Sequence, residues 1–185
     1  MVREYVHSRE PRARVGLIHR LDKDASGLLV FSKNDPAYRS LKDQFFKHTV
    51  ERIYLAVVEG ALTPASGRIR TRLIELVDGS VRSTKAEGKG ELAITEFQTL
   101  RGDERLSLMR VKLHTGRKHQ IRAHLSERGA TIVGDRMYGK SKPAGERLML
   151  AAVELSLDHP RTARREHFEI PLPAEMSKLC RKIGE

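Results

Sequence analysis

Two apolar runs, Leu92–Leu100 and Leu106–Leu113, flank the polar, glycine-containing stretch Arg101-Gly-Asp-Glu104. This pattern predicts a long antiparallel hairpin. A hairpin of two strands buries too little apolar surface to stand alone, so it commits the chain to a larger sheet. Other strand-like runs are Leu17-Ile-His-Arg20, Leu28 to Phe31 and Ile53 to Val58. Between the last two, Asn34-Asp35-Pro36 supplies a capping side chain and a first-turn proline, and Ala37, Leu41 and Phe45 follow at four-residue spacing. That is a helix with one buried face. A second helix is expected from about Lys118 to Glu127, stopped by Gly129. Segments 60–91 and 139–147, rich in Gly, Ser, Lys and Arg, read as exposed loops or short strands, and Pro160 to Pro173 as a hairpin strand. Strands and helices mix without strict alternation and no repeat is visible. The expected class is α+β, with a mixed, mainly antiparallel sheet and flanking helices.

Charge narrows the partners. The 185 residues carry 35 Lys and Arg against 24 Asp and Glu, a net charge of +11. The excess is uneven: Arg101 to Arg128 holds eight basic residues against three acids. Such a balance suits either a merely basic surface or a groove that tracks phosphates. With no Trp and 5% aromatics, a surface built mainly on stacked bases is disfavoured, and nucleic acid held through its backbone is the preferred partner. No apolar run approaches the roughly 18 residues that a membrane span requires. The start of the chain lacks an apolar signal core. A single cysteine, Cys180, rules out an internal disulfide and a Cys-rich zinc site. A reducing, cytoplasmic location is expected, with no membrane partner.

Two segments carry candidate chemistry. The loop His19-Arg-Leu-Asp22-Lys-Asp-Ala-Ser-Gly27 lies between two apolar strands. Asp22 and Asp24 suit ordinary turn residues, with Gly27 supplying a permissive dihedral. A loop mounted between core strands is equally a rigid support for a working carboxylate. If the segment is extended, Arg20 and Asp22 share a face and Arg20 holds Asp22 ionised. The second segment is Thr115-Gly-Arg117-Lys118-His119-Gln120-Ile-Arg122-Ala-His124. On a helix, Ile121 and Leu125 form an apolar stripe and Arg122 emerges at its edge, where a buried anion could meet it. The helix start behind Gly116 is a natural phosphate cradle, and a solvated basic face is the plainer alternative. His114, His119 and His124 are five residues apart and point about 140° from one another on a helix, so they make no metal site. No phosphate-binding glycine fingerprint, serine-nucleophile motif or zinc-ligand pattern occurs.

At these residues a resemblance emerges. His19-Arg-Leu-Asp22, followed by Ser26-Gly-Leu-Leu-Val-Phe31, resembles the signature loop of RNA pseudouridine synthases of the RluA branch. Three further segments match in order: Arg52-Ile-Tyr54-Leu-Ala-Val-Val-Glu-Gly60, Leu113 to Leu125, and Ile132-Val-Gly-Asp-Arg-Met-Tyr-Gly139. The closing stretch, through Arg147-Leu-Met-Leu150 to Phe168-Glu-Ile-Pro-Leu-Pro173, is also similar. The resemblance implies a central active-site cleft and conversion of uridine in ribosomal or transfer RNA to pseudouridine, without cofactor or metal. It further implies that Asp22 is the catalytic aspartate, acting at C1′ or at the uracil ring. By the same resemblance Tyr54 packs on the base, Arg122 pairs with the aspartate, and Arg20 helps displace the base from its stack. His19, Arg117, Lys118, His119 and Gln120 are the remaining expected RNA contacts. A monomer is expected.

The resemblance divides the chain into residues 1–14, unassigned, a catalytic domain over 15–174, and a tail over 175–185. Family domains usually begin some tens of residues earlier, with a strand carrying a Lys-Pro-Ala-Gly-like segment that nothing before Val15 resembles. Ala25 stands where Thr is common, and Ala151 where His is expected. The absent segment motivates a second reading, a catalytically impaired RNA-binding or RNA-folding protein descended from such enzymes. A nucleoside hydrolase, which would release free uracil, is a third.

Overall fold

The computed structural model describes residues 1–139, 147–181 and 183. Its centre is the expected hairpin: β7 (Glu91–Gly102) and β8 (Leu106–Leu113) pair antiparallel, with a register shift between Thr99 and Arg101. Strand β4 (Glu51–Glu59) joins β8, and β9 (Leu150–Asp158) joins the other edge of β4. Both are nearly continuous apolar runs buried on both faces, the pattern of central strands. Strand β10 (Arg165–Glu169) closes one end of the sheet, and β5 (Ser66–Glu75) and β6 (Val81–Thr84) close the other.

The sheet order is β10-β9-β4-β8-β7-β5-β6, antiparallel throughout. The exception is β2 (Ser26–Gly27), which pairs parallel with Ala151 and Ala152 of β9. A separate short ribbon joins β1 (Gly16–Leu17) to β3 (Phe31–Ser32). The mixed, mainly antiparallel α+β architecture is therefore as the sequence predicts.

Helix α2 (Asp35–Phe46) begins as expected, with the Asn34 side chain accepting from the Ala37 amide at 2.9 Å. Its Leu41 packs with Ile18, Val50, Leu155 and Leu157, which fastens the helix beside β9. Helix α3 (Gln120–Glu127) buries Ile121, Ala123 and Leu125 against the sheet. It starts two residues later than expected because His119 takes a left-handed backbone, φ 51°, and turns the chain into the helix.

Several sequence expectations need correction. Leu17–Arg20 and Leu28–Phe31 are not full strands. Their backbone is satisfied elsewhere: the Leu28 amide donates to Ala152 O, and the Val30 amide donates to His19 Nε2. Segment 60–91, expected as exposed loops or short strands, carries the short strand β6 but also β5, which is longer than expected. In β5, Ile69 and Leu73 are buried while Arg68, Arg70 and Arg72 point away, a period-two pattern masked by the surrounding charge. Residues 140–146 of the loop expected over 139–147 lie outside the described residues. The N-terminal stretch contains α1 (Val2–His7), which buries no residue. The tail contains α4 (Ala174–Arg181), whose Met176 and Cys180 enter the main core.

Candidate active site

The segment 18–25, which leads into β2 on the edge of β9, lines a cavity of about 430 Å³. This segment, the end of α2, the β4 face carrying Arg52 and Tyr54, and the Gly116–Ile121 turn line it, with Leu113 of β8 and Leu150 of β9. Gly27 sets the path of the first. At φ 115° it lies so close to β9 that a Cβ would sit 2.1 Å from Ala152 O. Only glycine permits both the backbone and the approach. His19 braces the same segment, accepting from the Val30 amide at 3.1 Å and stacking on Phe45 at 4.6 Å between ring centroids. Burial lowers its pKa from 6.5 to about 4, so the ring is neutral and acts as an acceptor.

Asp22 is the sole acidic residue lining the cavity among the described residues. Its Oδ2 lies 3.6 Å from Arg122 Nη1, an ion pair without a hydrogen bond. Arg20 is exposed and makes no ion pair with Asp22. The segment between Ile18 and Asp22 is not strand, so the same-face argument does not apply. Arg122 instead gives its two strong hydrogen bonds to Asp135: Nε to Oδ2 and Nη2 to Oδ1, each 2.8 Å. Asp135 also accepts from the Met137 and Tyr138 amides at 3.0 and 3.1 Å. Burial pushes its carboxyl upward, but the Arg122 guanidinium and the two amides outweigh that and hold it below the usual carboxylate range. Tyr138 completes the frame, its ring 5.0 Å from the Arg122 guanidinium and its hydroxyl accepting from the Val81 amide at 2.7 Å. Arg122 is thus held rigidly by one carboxylate while facing a second.

Tyr54 is buried on the cavity face of β4, and burial raises its pKa, so it presents a neutral ring. The other expected contacts are placed differently from one another. Gln120 is buried and fully engaged. It accepts from Thr115 Oγ1 and the Arg117 amide, and donates to Ile94 O and Thr95 Oγ1. It fastens the turn to β7. Arg117 pairs with Glu91 at 2.7 Å, and Lys118 pairs with Glu75. His119 faces Tyr138, Nδ1 to hydroxyl 3.2 Å.

Sequence reasoning missed Asp135 and Tyr138 as parts of the site, although both stand in a quoted motif. It also missed Arg52, a buried arginine on the cavity face. The signal for Asp135 was chemical: an arginine expected at a core edge needs a buried carboxylate. Among the described residues no group of three or more His, Cys, Asp or Glu could hold a metal ion, and no helix is long and apolar enough to cross a membrane.

This architecture is that of solved pseudouridylate synthase domains. Human RNA pseudouridylate synthase domain containing 4 superimposes with a TM-score of 0.79 at 21% identity, over 94% of this chain and 77% of that one. Human RNA pseudouridylate synthase domain containing 1 gives 0.78 at 24%, over 92% and 74%.

The family described as RNA pseudouridylate synthase matches residues 2–127. Relatives include ribosomal large subunit pseudouridine synthase D of Zymomonas mobilis, 34% identical over 92% of this chain and 57% of that protein. An uncharacterized RNA pseudouridine synthase of Bacillus subtilis is 38% identical over 92% and 56%, and one of Chloroflexus aurantiacus is 40% identical over 93% and 54%. The chain therefore belongs to the RNA pseudouridylate synthase family, on the RluA branch to which its His-Arg-Leu-Asp form pointed. It spans little more than half the length of these relatives.

Proposed function

We propose that this chain isomerises uridine in ribosomal or transfer RNA to pseudouridine, breaking the N1–C1′ bond and joining C5 to C1′. The observation that carries this reading is the arrangement of two carboxylates about Arg122. Asp135 takes both strong hydrogen bonds, and Asp22 stands 3.6 Å away at the cavity wall without a hydrogen bond from the guanidinium. Rupture of a glycosidic bond develops positive charge on the sugar, and a carboxylate so placed can stabilise it or form a covalent bond. Hydrolysis normally uses a second carboxyl group to activate water. Among the described residues no second acid lines the cavity, which favours re-addition of the retained uracil over release of it. Tyr54 offers a buried neutral ring on which the base can pack, recovering part of the few kcal/mol that unstacking costs. Arg20, exposed and lining the cavity, is assigned on this reading to the gap left in the RNA stack. The reading also carries a cytoplasmic location and action as a monomer.

The test is tritium release from RNA labelled at uracil C5, because forming the C5–C1′ bond expels that hydrogen. Wild type should release tritium. Asp22→Asn should release none while binding RNA within a few-fold of wild type. Release by the variant would remove Asp22 from the chemistry. Free uracil among the products would mean a hydrolase, and RNA binding without release by folded wild type would favour the binding-only reading.

A further inference from the structure

Three basic groups in and around the cavity have carboxylate partners, and two more, Arg20 and Lys42, are exposed to solvent. Arg122 is held by Asp135, Arg117 by Glu91 and Lys118 by Glu75. Arg52 is not. It is 9% exposed, lies on the cavity face of β4, and has no carboxylate partner among the described residues. Its Nε is buried without a hydrogen-bond partner. The nearest compensation is the Phe45 ring, 5.6 Å from the guanidinium carbon.

The position is built rather than incidental. Arg52 Nη1 occupies the space a side chain at residue 116 would need: a Cβ on Gly116 would stand 2.6 Å from it. The turn before α3 therefore leaves room for a guanidinium beside the cavity. Burying a charged group without a partner is costly, and the cost is relieved when an anion enters with matching acceptors. The planar fork of donors suits a phosphate, which can take two parallel hydrogen bonds. A uracil carbonyl would leave the charge uncompensated.

We propose that Arg52 is the anion subsite of the cavity, binding a phosphodiester of the substrate RNA beside the nucleotide whose base packs on Tyr54. Arg52 and Tyr54 are two residues apart on one strand, about 7 Å along it, within reach of a single nucleotide. The inference rests on the RNA-modifying reading for its ligand, but the unpartnered guanidinium stands independently of it. Arg52 so placed anchors the backbone while the base turns inward, a positioning role distinct from that of Asp22.

The experiment follows the Arg52 side-chain Nε–H resonance by NMR, assigned by its loss in Arg52→Gln and by the charge-retaining Arg52→Lys. Wild type is titrated with an oligouridylate, with inorganic phosphate, and with sodium chloride at matched ionic strength. The resonance should move downfield with oligouridylate and phosphate and stay in place with chloride. In parallel, Arg52→Gln should bind oligouridylate about 10- to 100-fold more weakly, as loss of charge-assisted hydrogen bonds predicts. The slope of log affinity against log salt should flatten by about 0.7, the share of one single-strand phosphate, while Arg52→Lys retains most of it. Oligouridylate binding with an unmoved resonance or an unchanged slope in Arg52→Gln would overturn the proposal. So would a response to phosphate but not to oligouridylate, which would mark a small-anion site. Tritium release by wild type separates the two readings. Release with an unresponsive Arg52 sinks only this inference. A responsive Arg52 without release sinks only the isomerase.

Discussion

Replacing Asp135 by Asn separates the two carboxylates around Arg122. Asp135 has a fully buried side chain and accepts four hydrogen bonds, two from Arg122 and two from backbone amides. Asn preserves the shape, and its Oδ1 can still accept from the Met137 and Tyr138 amides. Its Nδ2 then faces Arg122 Nε in place of Oδ2, so the guanidinium, itself 11% exposed, keeps only the Nη2 bond to Oδ1 and loses the Asp135 charge, with the 3.6 Å contact to Asp22 as its remaining ion pair. Removing one partner of a buried ion pair costs about 3–5 kcal/mol. At a urea slope of about 2 kcal/mol per M, the unfolding midpoint should fall by about 2 M with the slope unchanged. Asp22→Asn loses only a non-hydrogen-bonded contact at a partly exposed group, so its cost should stay within about 1 kcal/mol. The assay is urea unfolding followed by far-ultraviolet circular dichroism, since the chain has no Trp. An Asp135→Asn midpoint within 0.5 M of wild type, on the order set by that slope, would refute the division of labour. An equally large loss for Asp22→Asn would refute it from the other side.

The pH dependence has a defined sign. Burial lowers both His19 and His124 from 6.5 to about 4, so the unfolded chain takes up protons that the folded chain refuses. Their contribution is complete above pH 6.5 and is lost as pH falls toward 4, at most about 3 kcal/mol each. Urea midpoints measured across this window should drop, and the gap between wild type and His124→Gln should narrow on acidification; a constant gap would argue against a buried neutral His124. Gly27→Ala should destabilise by about 3 kcal/mol or more, because the new Cβ meets β9 backbone and the residue is in a positive-φ conformation. Gly60→Ala is the control, with φ 76° but nothing within 4 Å, and should cost only about 1–2 kcal/mol. Equal thermal shifts for the two would mean that the β2–β9 contact does not hold the Asp22 loop.

The amino-acid sequence alone determined the elements whose causes are local. The Asn34 cap with Pro36 starts α2, and the apolar runs around Arg101-Gly-Asp-Glu104 make the β7–β8 hairpin. Asp22 and Arg122 were candidates from their own segments and Tyr54 through the family resemblance, and the structure brings Asp22 and Arg122 into contact although a hundred residues separate them. What the sequence could not decide was which charges meet. Arg20, two residues from Asp22, makes no ion pair with it, while Arg122 is shared unequally between Asp22 and Asp135. Arg117 and Lys118, expected as RNA contacts, are paired with Glu91 and Glu75, whereas Arg52, unremarkable in its motif, is the buried cation left without a carboxylate among the described residues. Local structure depends on neighbours within a few residues, which a sequence displays. The strength of an ion pair depends on distance and burial, and those exist only after strands far apart in the chain have been set side by side.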